Sequence, residues 1–229
     1  SCLMEGRTNG KDHTFHVVAH NEVGDSEASA TATTSIDVVP DTVPQPVATA
    51  GDGSVSVSWS APSNQGSAIT GYVVALSPGG QQQTVSGTSA TFSGLSNGTA
   101  YTAVVKAVNA KGESQQWSSA SLAVSPYGRP GPVGSVQAAS ANLGSGGSSD
   151  TVTVSWGPVS DTNGRPIEYY TVTSSTGASK TVSGADNRSA TLEGVSTSQE
   201  QVTFTVTATN DSANASTHTS PGQSTSTWV

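Results

Sequence analysis

The sequence predicts an all-β protein built as a row of two-layer sandwiches, and three observations carry that expectation. Tyr101–Asn109, reading YTAVVKAVN, places Tyr101, Ala103, Val105 and Ala107 on one face and Thr102, Val104 and Lys106 on the other, the period of a half-buried strand. The same alternation returns in HTFHVVAHN (His13–Asn21) and VTFTVTATN (Val202–Asn210), each closing on Asn, so the chain is internally repetitive. Finally, charged residues make up only 10% and aromatics 5%. The dominance of Ser, Thr, Ala, Val and Gly suits short β-branched strands and offers no convincing helical stretch. A chain of 229 residues then divides into units of about 90 residues, the usual size of an all-β sandwich.

The first element is incomplete. SCLMEGRTNGKDHTF lines up with ATFSGLSNGTAYTA at Ala90–Ala103, placing Gly6 on Gly94, Asn9-Gly10 on Asn97-Gly98 and His13 on Tyr101. Residues 1–40 thus supply the last three strands of a repeat, with Ala28–Val39 as the final one. Three strands cannot close a two-sheet core, so this piece is expected to be loose or to borrow a neighbouring surface. Because the pattern opens in mid-repeat, the chain reads as part of something longer, with any export signal or membrane anchor outside it.

The linker VVPDTVPQPV is stiffened by Pro40, Pro44 and Pro46. Residues 41–127 then form a complete repeat. Its strands are Val55–Ser60, with Val55, Val57 and Trp59 inward, then Gly71–Pro78, QQQTVSG, Ala90–Leu95, the Tyr101 strand and Ser121–Pro126. After a second linker, PYGRPGPV (Pro126–Val133), residues 128–229 repeat the series. TVTVSW (Thr151–Trp156), YYTVTSS (Tyr169–Ser175), ATLEGV (Ala190–Val195) and QSTSTWV (Gln223–Val229) take the corresponding places. Val202 stands where Tyr101 stands, so the third repeat lacks that hydroxyl. Its insertion Leu143–Asp150 is expected to be mobile.

Trp59, Tyr72, Leu95 and Tyr101, followed by alternating Val and Ala to Asn109, resemble a fibronectin type III repeat. The resemblance implies seven-strand, immunoglobulin-like sandwiches in tandem, with the Trp on the second strand and a tyrosine corner before the sixth. The acidic, cysteine-poor, Ser/Thr-rich style resembles repeats in extracellular proteins of Gram-positive actinobacteria such as bifidobacteria. Trp117-Ser118 also resembles the second half of the Trp-Ser-x-Trp-Ser box of class I cytokine receptors, in which the Trp stacks on outward cations of the sixth strand. That likeness implies a cation–π rung between Trp117 and Lys106, worth about 0.5–1 kcal/mol when exposed. The plainer reading of Trp117 is a lone indole covering a sheet edge.

Chemistry beyond the fold is scarce in the sequence. Trp59 and Trp156 fall on inward positions and read as core, not as ligand platforms. Integrin recognition of the fibronectin kind needs Arg-Gly-Asp in the loop that here holds Lys111-Gly112-Glu113, or Val23-Gly24-Asp25 in the first repeat, and neither matches. On one strand His16 and His20 share a face roughly 13 Å apart at about 3.3 Å per residue, too far for one metal ion, and His13 faces away. No Gly-x-Ser-x-Gly elbow, P-loop or His-Glu-x-x-His occurs, so no catalytic residue, metal or cofactor is expected. A net charge of −8 with scattered Lys and Arg gives no nucleic-acid footprint, and the one cysteine, Cys2, leaves no intrachain disulfide to form.

The expectation for function is non-enzymatic recognition of a protein at a cell surface or outside the cell. By resemblance the partner is a host extracellular protein: a matrix component, an adhesion receptor or a cytokine. The contact residues are expected at Lys106, Lys111, Gly112, Glu113, Trp117 and Ser118. The alternative is a passive spacer that positions other domains, for instance in a secreted polysaccharide hydrolase.

Overall fold

The computed structural model, whose description covers residues 2–141, 151–195 and 201–229, is built mainly of β-strands of two to nine residues, as alternating β-branched and small residues favour. Contacts divide the chain into two units. One contains Ser1–Thr49, Val55–Phe92 and Ala100–Val124, and the other contains Ala50–Ser54, Ser93–Thr99 and Ser125–Val229.

In the first unit, β1 (Asp12–Phe15), β2 (His20–Asn21), β3 (Gly24–Asp25) and β4 (Ala32–Ser35) form two small antiparallel pairs, β1 with β4 and β2 with β3. The continuous strand expected over His13–Asn21 is therefore broken, and the one expected over Ala28–Val39 shrinks to four residues. The reason is exposure. Val17 and Val23 stand 71% and 96% exposed, with no opposing sheet among the described residues to reward a regular ladder. Instead the amides of Val17 and Ala19 are satisfied by the hydroxyls of Ser29 and Ser26. His16 and His20 are both exposed. His20 pairs through Nδ1 with Asp25 at 2.7 Å.

The repeat that follows is built from β5 (Val47–Gly51), β6 (Ser54–Ser58), β7 (Ile69–Ser77), β8 (Gln82–Val85), β9 (Ser89–Ser93), β10 (Thr102–Asn109) and β11 (Gly112–Glu113). The order is β5-β6-β9 in one sheet and β11-β10-β7-β8 in the other. Val55, Val57 and Phe92 of the first sheet and Tyr72, Val74, Leu76, Ala103, Val105 and Ala107 of the second are all buried. Trp59 lies just beyond the end of β6, buried, with its ring edge-on to Tyr72 at 5.3 Å. Edge-to-face geometry adds to the area an indole removes from water.

The final strand expected at Ser121–Pro126 is not a strand. It makes one β-bridge, Val124 to Tyr101, and the rest of the partner to β10 is a row of serines. Ser114, Ser118 and Ser121 donate their amides to the carbonyls of Ala107, Val105 and Ala103 at 2.8, 2.9 and 2.9 Å. Their hydroxyls accept the amides of those same residues at 2.8, 2.9 and 3.0 Å. Each serine thus completes both backbone bonds of one β10 residue. The partners on β10 are two residues apart while the serines are four and three apart, so the extra residues bulge outward. Ser220 does the same for Ala208 in the other unit.

The second unit repeats the two-sheet plan. It contains β12 (Val136–Ser140), β13 (Val152–Trp156), β14 (Tyr169–Ser174), β15 (Ser179–Ser183), β16 (Ser189–Leu192), β17 (Gln201–Thr209) and β18 (Gln223–Trp228). The sheets run β12-β13-β16 and β15-β14-β17-β18, and Val154, Trp156 and Leu192 pack with Tyr170, Val172, Phe204 and Val206 between them. Val202 is fully buried at the place of Tyr101. A helical turn, Ser212–Asn214 running into α1 (Ala215–His218), was not expected from the sequence. It is initiated by Asp211, whose carboxylate accepts the amide of Ala213 in the manner of an N-cap. The insertion 143–150 lies outside the described residues. Among the described residues no helix is long and apolar enough to cross a membrane.

Candidate functional site

The outward face of β7 and β10 carries the sequence-nominated residues. Lys106 lies opposite Val73, and Val104 opposite Ala75, all four half-buried because their neighbours Val74 and Val105 point into the core. The bulge between Ser114 and Ser118 swings Trp117 out over this face. The Lys106 ammonium sits 5.1 Å from the centre of the indole and 3.3 Å from the Glu113 carboxylate. The Trp117–Lys106 rung is therefore present. Its cation lies between a ring and a carboxylate, with the Lys106 side chain 18% and that of Glu113 50% exposed. The carboxylate contact adds little at that exposure.

The remaining candidates shape this arrangement. The β10–β11 hairpin closes with Asn109 paired to Gly112 and Val108 to Glu113, and the Lys111 amide is held by the Asn109 side chain. Ser118 anchors the bulge to Val105. Lys106, Glu113 and Trp117 are brought together, whereas Ser118 is buried with its hydroxyl on the backbone and Lys111 is exposed at the hairpin tip. Among the described residues no group of three His, Cys, Asp or Glu side chains is placed to hold a metal ion.

Sequence reasoning missed two sets of polar residues. Asn109 donates its amide to the carbonyls of Val38, Asn64 and Ser67, and Asn210, fully buried, donates to those of Gly128 and Thr162 at 2.9 Å each. Each fastens a linker. The Asn that recurs at strand ends is the available signal, but its local pattern does not say what it binds. The second set surrounds Tyr127 of the Pro126–Val133 linker. Its hydroxyl donates to Asp211 at 2.7 Å, Arg165 stacks 4.9 Å from its ring and also pairs with Asp211 at 3.0 Å, and His218 packs beside it. Nothing in the sequence links four residues this far apart.

Asp211 accepts from Asn214, Tyr127 and the Ala213 amide with Arg165 alongside, which lowers its pKa to about 2. The Tyr127 hydroxyl is pushed up, first by its bond to that carboxylate and then by burial. A carboxylate with a lowered folded-state pKa stabilises fully above its unfolded value, about 3.9, and loses that contribution as pH falls through the folded value. The difference in thermal midpoint between the chain and its Asp211→Asn variant should therefore shrink as pH drops from about 5 to about 2. A difference that stays constant across that range would rule out the ionised carboxylate as the source.

A family model described as "Fibronectin type III domain" matches residues 43–123. Among solved structures, the crystal structure of chicken CNTN1 FN1-FN3 domains is similar at 20% identity and a TM-score of 0.44, over 96% of this chain and 76% of that one. No curated protein matches. With its facing sheets of three and four strands and its indole buried against Tyr72, the segment 43–123 carries the fibronectin type III, immunoglobulin-like sandwich.

Proposed function

We propose that the chain is a non-enzymatic protein-recognition segment of an extracellular or cell-surface protein, made of two complete fibronectin type III repeats (41–127 and 128–229) and part of a third (1–40). The observation that carries this reading is the outward face of β7 and β10. Val73, Ala75 and Val104 give it a half-exposed apolar centre, and Trp117 and Lys106 flank it with an aromatic and a cation. Such a composition matches the fully buried part of protein interfaces, where Trp is enriched and charge is confined to the margin. By resemblance the partners are host extracellular proteins (matrix components, adhesion receptors or cytokines), and the parent is a bacterial surface protein.

Titrating the immobilised chain with purified matrix proteins, adhesion-receptor ectodomains and cytokines tests this. Saturable binding is expected to at least one of them, weakened about 30-fold or more by Trp117→Ala, the loss of a roughly 2 kcal/mol hot spot. Saturable binding that Trp117→Ala leaves intact would move the site elsewhere. A passive spacer is the second reading, favoured by the bonds from Asn109 and Asn210 to the linkers. No saturable binding in any titration would favour it.

A further inference from the structure

We propose that the chain contains a repeat-to-repeat docking site, present in two copies, whose partner surface is another repeat of the same kind. The proposal rests on the three-repeat organisation given above. The inserting half is an Asn-Gly turn with the linker behind it, and the receiving half is a polar residue followed by glycine in the next repeat. The first copy, inside the first unit, joins Asn9-Gly10 to Gln65-Gly66. The second, inside the other unit, joins Asn97-Gly98 to Asn163-Gly164.

Four bonds recur in both copies. The Asn side-chain amide donates to the receiving side chain, Asn9 to Gln65 at 3.2 Å and Asn97 to Asn163 at 2.5 Å. The turn glycine donates its amide to the segment entering the linker, Gly10 to the Ile36 carbonyl and Gly98 to that of Pro126, at 2.9 and 2.8 Å. Two residues further along the linker, Val38 and Gly128 donate to the carbonyls of Gln65 and Asn163 at 3.2 and 2.9 Å. The carbonyls of Val38 and Gly128 in turn accept from Asn109 and Asn210. A linker held both behind and ahead has a set course, which Pro stiffening alone does not provide.

The glycines explain why only certain surfaces fit. A Cβ on Gly10 would stand 2.9 Å from the Gly66 Cα, and one on Gly164 would stand 2.5 Å from the Gly98 nitrogen. All four turn and loop glycines have left-handed φ, between 69° and 105°. The receiving residues are left-handed too, Gln65 at 53° and Asn163 at 54°, a conformation in which only a few per cent of non-glycine residues are found. Two backbones therefore meet with no side chain between them, and a repeat without the receiving glycine would be rejected sterically.

NMR on the full chain tests the site. Strong Hα–Hα cross-relaxation is expected between Gly10 and Gly66 and between Gly98 and Gly164. Gly164→Val should abolish the second signal and leave the first unchanged, along with the cross-strand signals of β14 and β17 that report the folding of its own repeat. Gly66→Val should do the reverse, with the cross-strand signals of β7 and β10 as the control for folding. Absence of both glycine signals in the unaltered chain, while its cross-strand signals are intact, would overturn the proposal. So would their survival in the variants. Either result leaves the proposed protein-binding face untouched, because that face is tested by titration.

Discussion

Trp59→Ala should destabilise the repeat that holds it by about 3–5 kcal/mol, the range for emptying a buried Trp or Phe site. The indole is 8% exposed and meets the Tyr72 ring edge-on at 5.3 Å. Its removal therefore forfeits both the buried area and the aromatic contact. A stability near 5–15 kcal/mol is usual for a small domain, so the variant repeat should be marginal or unfolded at 37 °C. Chemical denaturation followed through the near-ultraviolet signal measures the loss. A cost under about 1 kcal/mol would be that of a surface substitution and would mean that the indole does not fill the space between the sheets.

Asn210→Ala should cost the 128–229 repeat about 1–3 kcal/mol for each polar group left without a partner in a dry site. Its carboxamide serves two carbonyls, those of Gly128 and Thr162, and the residue is fully buried. The side chain is small, so the effect comes from hydrogen bonding and not from packing. Asn210→Asp is expected to be worse than neutral, because a carboxylate cannot donate to either carbonyl. Denaturant midpoints of the two variants check this. Equal stability of Asn210→Ala and the unaltered chain would show that water replaces the lost bonds, and that the linker is not held from this side.

The sandwich was legible where packing follows period. Val55, Val57, Tyr72, Val74, Val105 and Phe204 sit on the inward register that alternation assigns, and all are buried. It was less legible where side chains take over from the backbone. Ser114 looks like a polar loop residue in sequence and Ser121 like the start of a regular strand, yet with Ser118 they complete the pairing of β10 one residue at a time, because a hydroxyl can stand in for a strand carbonyl. The opening strands β5 and β12 are rich in Ala and Gly or Ser and only half-buried, so their pattern is faint. At the candidate site, Lys106 and Trp117 could be paired from the sequence through the likeness to a Trp-Ser box, and the two lie only 11 positions apart. The linker bonds of Asn109 to Val38 and of Tyr127 to Asp211 join residues 71 and 84 positions apart. Local pattern holds no record of contacts at that separation.

Fluorescence quenching reaches the central claim most directly, because the account requires two buried indoles among four tryptophans. Trp117 and Trp228, 36% and 61% exposed, are first replaced by Phe, leaving only Trp59 and Trp156 to report. The expected result is blue-shifted emission that iodide barely quenches until the chain is unfolded by denaturant. Emission at the position of a hydrated indole, quenched equally in the native and unfolded chain, would contradict two-sheet cores closed around Trp59 and Trp156.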